Sequence, residues 1–185
     1  MTKLLVENII VATAIHQQIP LESLANTFPD ATFEKEDQPV LIIRYDTPKR
    51  AVFVLPDGQL FCTGTTSLFS AKETMRPILD AIEEQGITFD KYLPIEIHTI
   101  TASFTLSSSL DLALVKDALH DEKVAYEESQ SLWLEYWPSE KITVLIFPSG
   151  KLILTGETTL DEMKTNLRTL LDTLTSKGAI EKVEE

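Results

Sequence analysis

The chain reads as an α+β protein whose antiparallel sheet is covered by helices and built twice over. Three observations predict this. The segment LPDGQLFCTGTTS (55–67) returns as FPSGKLILTGETT (147–159), which pairs Gly58 with Gly150, Thr63 with Thr155 and Gly64 with Gly156. Upstream, VENIIVATAI (6–15) answers IEIHTITASF (95–104), and ATFEKEDQPVLIIRY (31–45) answers VAYEESQSLWLEY (124–136), in the same order. Within each copy, short β-rich runs follow one another through turns too brief for a crossover helix, so neighbouring strands must run antiparallel. The repeats are read as 1–91 and 92–185, meeting near Asp90–Pro94.

Each half opens on a long alternating strand, 4–13 and 95–106. A short helix follows at 20–28 and at 108–122, the second with Ser and Asp available as N-caps. Four strands come next, at 31–35, 40–46, 50–55 and 59–64, matched by 124–128, 131–137, 141–147 and 151–156. Asp57-Gly58 and Ser149-Gly150 mark the tight turns before the last strand of each set, because glycine accepts a positive φ. A longer helix closes each half, 70–86 and 159–178, ending at a glycine that signals a C-terminus. Pro77 is predicted to kink the first of these or to delay its start.

Composition bounds the function. The chain has 185 residues, 43% of them apolar, which is enough for a packed core and too apolar for an acidic disordered chain. No apolar run approaches the roughly 20 residues that span a bilayer, and the N-terminus lacks the pattern of a signal peptide. One cysteine, Cys62, forms no intramolecular disulfide, so a reducing cytoplasm is the simple expectation. The net charge of -13 argues against phosphate-rich partners. The acids are spread evenly, however: residues 1–91 hold 13 acids and 8 bases, and residues 92–185 hold 16 and 8. Net charge therefore does not locate the charge of any one face.

The paired strands 51–55 with 59–64, and 143–147 with 151–156, are apolar on both faces. If Val52, Val54, Leu60 and Cys62 meet the helices, then Phe53, Leu55, Phe61 and Thr63 point away, as do Leu145, Phe147, Ile153 and Thr155. Either the two sheets stack as a sandwich or they leave an apolar face uncovered, and such a face marks an interface.

The two-fold repeat, the VENI opening, the R-x-x-x-P-K spacing (Arg44, Pro48, Lys49) and the SGK-x-x-x-TG hairpin (149–156) together resemble the TATA-box-binding protein family, in its archaeal form. The resemblance spans about 4–180 and implies a saddle. In that fold one curved ten-stranded antiparallel sheet carries four helices on its convex side, and its concave face enters the DNA minor groove and bends the duplex. Bending by this family is a standard case of minor-groove kinking. Carried over by position, it implies DNA contacts from Asn8, Ile10, Phe53, Phe61, Thr63, Thr99, Thr101, Leu145, Ile153 and Thr155, and phosphate contacts from Arg44 and Lys151. Phe147 and Leu55 take wedge positions. Their partners in the family's phenylalanine pairs fall at Gln38 and at Gln130 or Ser131. Lys49 and Lys141 stand near the rim, while Gln59 replaces the base matching Lys151, Tyr136 or Trp137 replaces the arginine matching Arg44, and Thr66 and Thr158 replace lysines.

The resemblance thus implies a general transcription initiation factor whose partners are double-stranded promoter DNA, transcription factor B and RNA polymerase. Localisation is expected in the archaeal cytoplasm with the nucleoid, and the thinned rim predicts weakened or altered DNA affinity. The alternative is a paralogue that keeps the fold as a protein-interaction module. No enzyme, cofactor, metal, membrane or small-molecule partner is expected. His16, His98 and His120 lack ligand spacing, His98 is expected to point at the helices, and Asp121-Glu122 with Glu127-Glu128 read as solvated charge. Trp133 and Trp137 share one strand face, as core or as an aromatic interface.

Overall fold

The computed structural model describes residues 3–36, 38–90, 92–119, 123–127 and 132–181. The first half comprises β1 (Leu5–Ala14), α1 (Leu21–Ala25), β2 (Ala31–Glu34), β3 (Val40–Asp46), β4 (Lys49–Val54), β5 (Gln59–Thr65) and α2 (Leu68–Glu84). The second repeats the order with β6 (Glu96–Thr105), α3 (Leu112–Ala118), β7 (Val124–Ala125), β8 (Leu134–Ser139), β9 (Ile142–Ile146), β10 (Lys151–Gly156) and α4 (Leu160–Ser176). The ten strands are hydrogen-bonded in one sheet, in the order β2-β3-β4-β5-β1-β6-β10-β9-β8-β7. The fold class is α+β, and the strands are not divided into a two-sheet sandwich.

Two compact units divide the chain, one formed by Asn8–His98 and the other by Thr99–Glu185 together with Met1–Glu7. In the Asn8–His98 unit, Val52, Val54, Leu60 and Cys62 are fully buried against the helices. The covering face of α2 comes from Ala71, Met75, Ile78 and Ile82, a spacing that puts one apolar stripe on the sheet. The other unit repeats the solution: Val144, Ile146, Leu152 and Leu154 are buried, and α4 supplies Met163, Leu167, Leu170 and Leu174.

Helix ends are set by local chemistry. Ser67 caps α2 by accepting from the Ser70 N–H, and Asp111 caps α3 by accepting from Ala113 and Leu114. Thr159 and Glu162 form a reciprocal capping box on α4. Two expectations need correction. Helix α2 does not start late on account of Pro77; it starts at Leu68 and runs past it to Glu84. Pro77 is exposed, so the Glu73 carbonyl that loses its partner is on the solvent side. Helix α3 is shorter than the span 108–122, because Asp111 is extended and caps the first turn, and Leu119 leaves the helix with a β conformation.

The repeated Thr-Gly has a steric cause. Gly64 sits at φ +83° in a β-bulge that shifts the β1–β5 register, and a Cβ there would lie 2.5 Å from the Lys49 carbonyl oxygen. At Gly156, whose φ is ordinary, a Cβ would collide with the Lys141 carbonyl oxygen. No helix among the described residues is long and apolar enough to cross a membrane.

Candidate nucleic-acid interface

Each unit leaves the sheet face opposite its helices uncovered. In the Asn8–His98 unit the cross-strand register aligns Ile42, Phe53, Phe61 and Ala12 in one row and Arg44, Ala51 and Thr63 in the next. Directly paired residues share a face, so these rows stand on one side. Phe53, Leu55, Phe61, Thr63 and Ile10 are all half-buried, whereas their strand neighbours under the helices are sealed. The alternation expected from the sequence is present.

Asn8 is held in a defined orientation. Its Oδ1 accepts from the Gly64 N–H at 2.8 Å, and its Nδ2 donates to Thr63 Oγ1 at 3.0 Å. A backbone N–H can only donate, so the amide oxygen must face Gly64 and the NH2 must face Thr63. One NH2 proton is used there and the second remains for an outside acceptor. Adenine N3 and thymine O2, the acceptors lining the minor groove at A·T pairs, have the matching chemistry. Bonding to the Gly64 backbone N–H also gives Asn8 a structural role within the sheet.

The second unit lacks that amide. Thr101 Oγ1 and Thr155 Oγ1 lie 3.1 Å apart, so one donates to the other and a single hydroxyl proton is left to point elsewhere. Thr99, at the position matching Asn8, is half-buried on the same strand. The apolar row here is Leu145 with Ile153, and both are half-buried.

The register also identifies groups that sequence matching left open. Tyr136 pairs with the buried Val144 and so belongs to the helix side, with its hydroxyl pKa raised by burial. Trp137, one residue on, is exposed and lies where the β8–β9 register shifts. Trp133 sets its ring 6.0 Å from Phe147, tilted by 44°. Its indole N–H donates to Glu135 Oε1 at 3.2 Å, and Glu135 pairs with Leu145 on the open face. Glu135 was not identified as a site residue from sequence, and Trp133 was left open between core and an aromatic interface. The signal was their two-residue spacing on the face of Phe147 and Leu145, hidden by the alignment slip at Gln130–Ser131. Those two lie outside the described residues, as do His120, Asp121, Glu122 and Glu128. Gln38 is exposed.

Arg44 keeps its charge available, because its Nη1 donates to a neutral hydroxyl, Thr32 Oγ1, at 3.1 Å. Lys49, Lys141 and Lys151 are exposed. Arg50 is turned to the helix side, where it donates to Thr74 Oγ1 at 2.8 Å. Burial pushes the neighbouring Cys62 thiol up to about 11, an effect the Arg50 charge only partly offsets. His98 departs from expectation: it is exposed, and its ring stands edge-on to Phe61 at 6.1 Å. No group of three or more metal-ligating side chains occurs among the described residues.

The sequence profile of the family described as transcription factor TFIID (or TATA-binding protein, TBP) matches residues 3–85 and again 94–177. The chain belongs to the TATA-binding protein family. TATA-box-binding protein B of Halobacterium salinarum is 32% identical over 177 residues, covering 95% of both chains. The TATA-box-binding protein of Archaeoglobus fulgidus is 28% identical, covering 95% of this chain and 97% of its own. The solved structure of Methanococcus jannaschii TBP superposes with a TM-score of 0.81 at 31% identity, over 94% of this chain and 99% of that one. Two matched segments follow from the duplication.

Proposed function

We propose that the chain is a general transcription initiation factor of the TATA-box-binding type. It lays the open face of each unit in the minor groove of promoter DNA, bends the duplex, and docks transcription factor B ahead of RNA polymerase. The observation that carries this is the uncovered apolar face, present twice, with a fixed amide donor (Asn8) in one copy and a hydroxyl pair (Thr101, Thr155) in the other. An apolar floor excludes water, while a few donors meet the acceptors of A·T pairs. Contact residues on this reading are Asn8, Ile10, Phe53, Leu55, Phe61 and Thr63, then Thr99, Thr101, Leu145, Phe147, Ile153 and Thr155. Arg44 and Lys151 face phosphates. Kinking at the second unit's end falls to Phe147 with Trp133 packed beside it, a broader wedge than Leu55 with the polar Gln38.

Affinity is lower than that of a member with a full basic rim, because each missing phosphate contact removes a released counterion. A second reading, a family member acting mainly on proteins, is favoured by one observation: Trp137 is a large aromatic side chain left exposed. A duplex labelled at both ends and carrying an A·T-rich element separates the two. Salt-sensitive binding with a shortened end-to-end distance supports the first, and a higher-order complex on adding transcription factor B supports docking. Absence of binding to any duplex at low salt overturns it.

A further inference from the structure

Glu135 is out of place on its face. It lies in the cross-strand row Ala125–Glu135–Leu145–Ile153, half-buried beside two apolar side chains. The residue in the same register of the first unit is Ile42, paired with Phe53 and only 5% exposed. Its Oε1 accepts from Trp133 Nε1 at 3.2 Å, and Trp133 is braced against Phe147. The carboxylate is therefore steered by an indole that is itself held by the aromatic wedge.

Covering a carboxylate without giving it a donor is costly. The edges of A·T and T·A pairs in the minor groove offer only acceptors, which repel it; a G·C pair adds one donor, the guanine 2-amino group. We propose that Glu135 reads a guanine 2-amino group, so that the second unit selects a G·C pair at its end of the site, and that Trp133 is the residue that positions it. This rests on minor-groove binding as proposed above. The first unit, with Ile42 at that position, has no such acceptor, so the requirement is polar: guanine at one end only.

The test uses the full chain and a set of duplexes in which a single G·C pair is scanned across and beside an A·T-rich element. Inosine is then substituted for guanine, which deletes the 2-amino group while the base still pairs with cytosine. The expected result is a position at which inosine weakens binding by about tenfold or more, as loss of a hydrogen bond to a charged group should. E135I, which installs the first unit's residue, should abolish that loss and bind the all-A·T duplex more tightly. W133F, which keeps the packing on Phe147 but removes the indole donor, should reduce the discrimination without abolishing binding. Thermal melts of both variants exclude misfolding, and E135A serves if E135I is unstable. Binding and bending with no Glu135-dependent loss at any position overturns this inference alone. Failure of the unaltered chain to bind any duplex overturns the proposed function with it.

Discussion

The salt dependence of DNA binding gives the sharpest test of how thin the basic rim is. Four bases, Arg44, Lys49, Lys141 and Lys151, are exposed at or near the open faces. If each neutralises one phosphate, the slope of log K against log salt is about −3.6, at roughly 0.9 per contact. Raising salt from 50 to 200 mM then weakens binding about 150-fold, against losses of about 10³ to 10⁵ for proteins making six to ten contacts. Lys141 is the weakest member of the set, since its charge also bears on the Glu162 carboxylate. Fluorescence anisotropy on a labelled A·T-rich duplex, titrated at five salt concentrations, measures the slope. The perturbation is K151Q, which installs the residue found at the matching Gln59; it should flatten the slope by about 0.9. The reverse change, Q59K, should steepen it by the same amount. A slope near −8, or one that ignores both substitutions, would refute the assignment of these bases to phosphates.

Three further outcomes follow from the packing. Gly156→Ala should destabilise by about 1–3 kcal/mol in urea unfolding, because its Cβ meets the Lys141 carbonyl and strand β9 must move. Thr159→Ala should cost about 1 kcal/mol by removing the α4 cap. Bonds from Thr158 and Thr159 hold the Glu162 carboxyl below its ordinary pKa. That contribution is complete above the ordinary carboxylate range and fades as pH falls through the lowered value, so the variant should lose less stability on acidification than the parent. Cys62, with its thiol pushed up to about 11, should resist thiol reagents at pH 8 in the native chain and react at once in denaturant; prompt native labelling would contradict its burial.

Most of the fold was legible because the duplication let each half check the other. The turns at Gly58 and Gly150 fix where the last two strands of each half meet, and alternation from those points gives the buried and open faces correctly. What escaped the sequence depended on register across strands rather than along one. That Tyr136 belongs to the helix side is decided by its pairing with Val144 of β9. The contact of Trp133 with Phe147 joins the residue just before β8 to the one just after β9, next to a segment that the repeat does not align. Pro77 does not delay the start of α2, because helix propensity is a local property, while α2 is held by its buried stripe from Ala71 to Ile82. His98 misled because simple alternation gives an orientation only where both faces are already settled.

The division of the chain into units has a consequence for how the protein is made. Residues 1–7 belong with 99–185, and Ser103, 7% exposed, donates its hydroxyl to Glu7 Oε1 at 2.5 Å across 96 positions of sequence. Residues 3–7 thus have no native place until the second repeat has been synthesised. Contacts so distant in sequence slow folding, since a long loop must close before they form. A second repeat expressed alone would fold without the acceptor that its own Ser103 needs. Two halves that look interchangeable on paper are, during synthesis, a single task that cannot finish early.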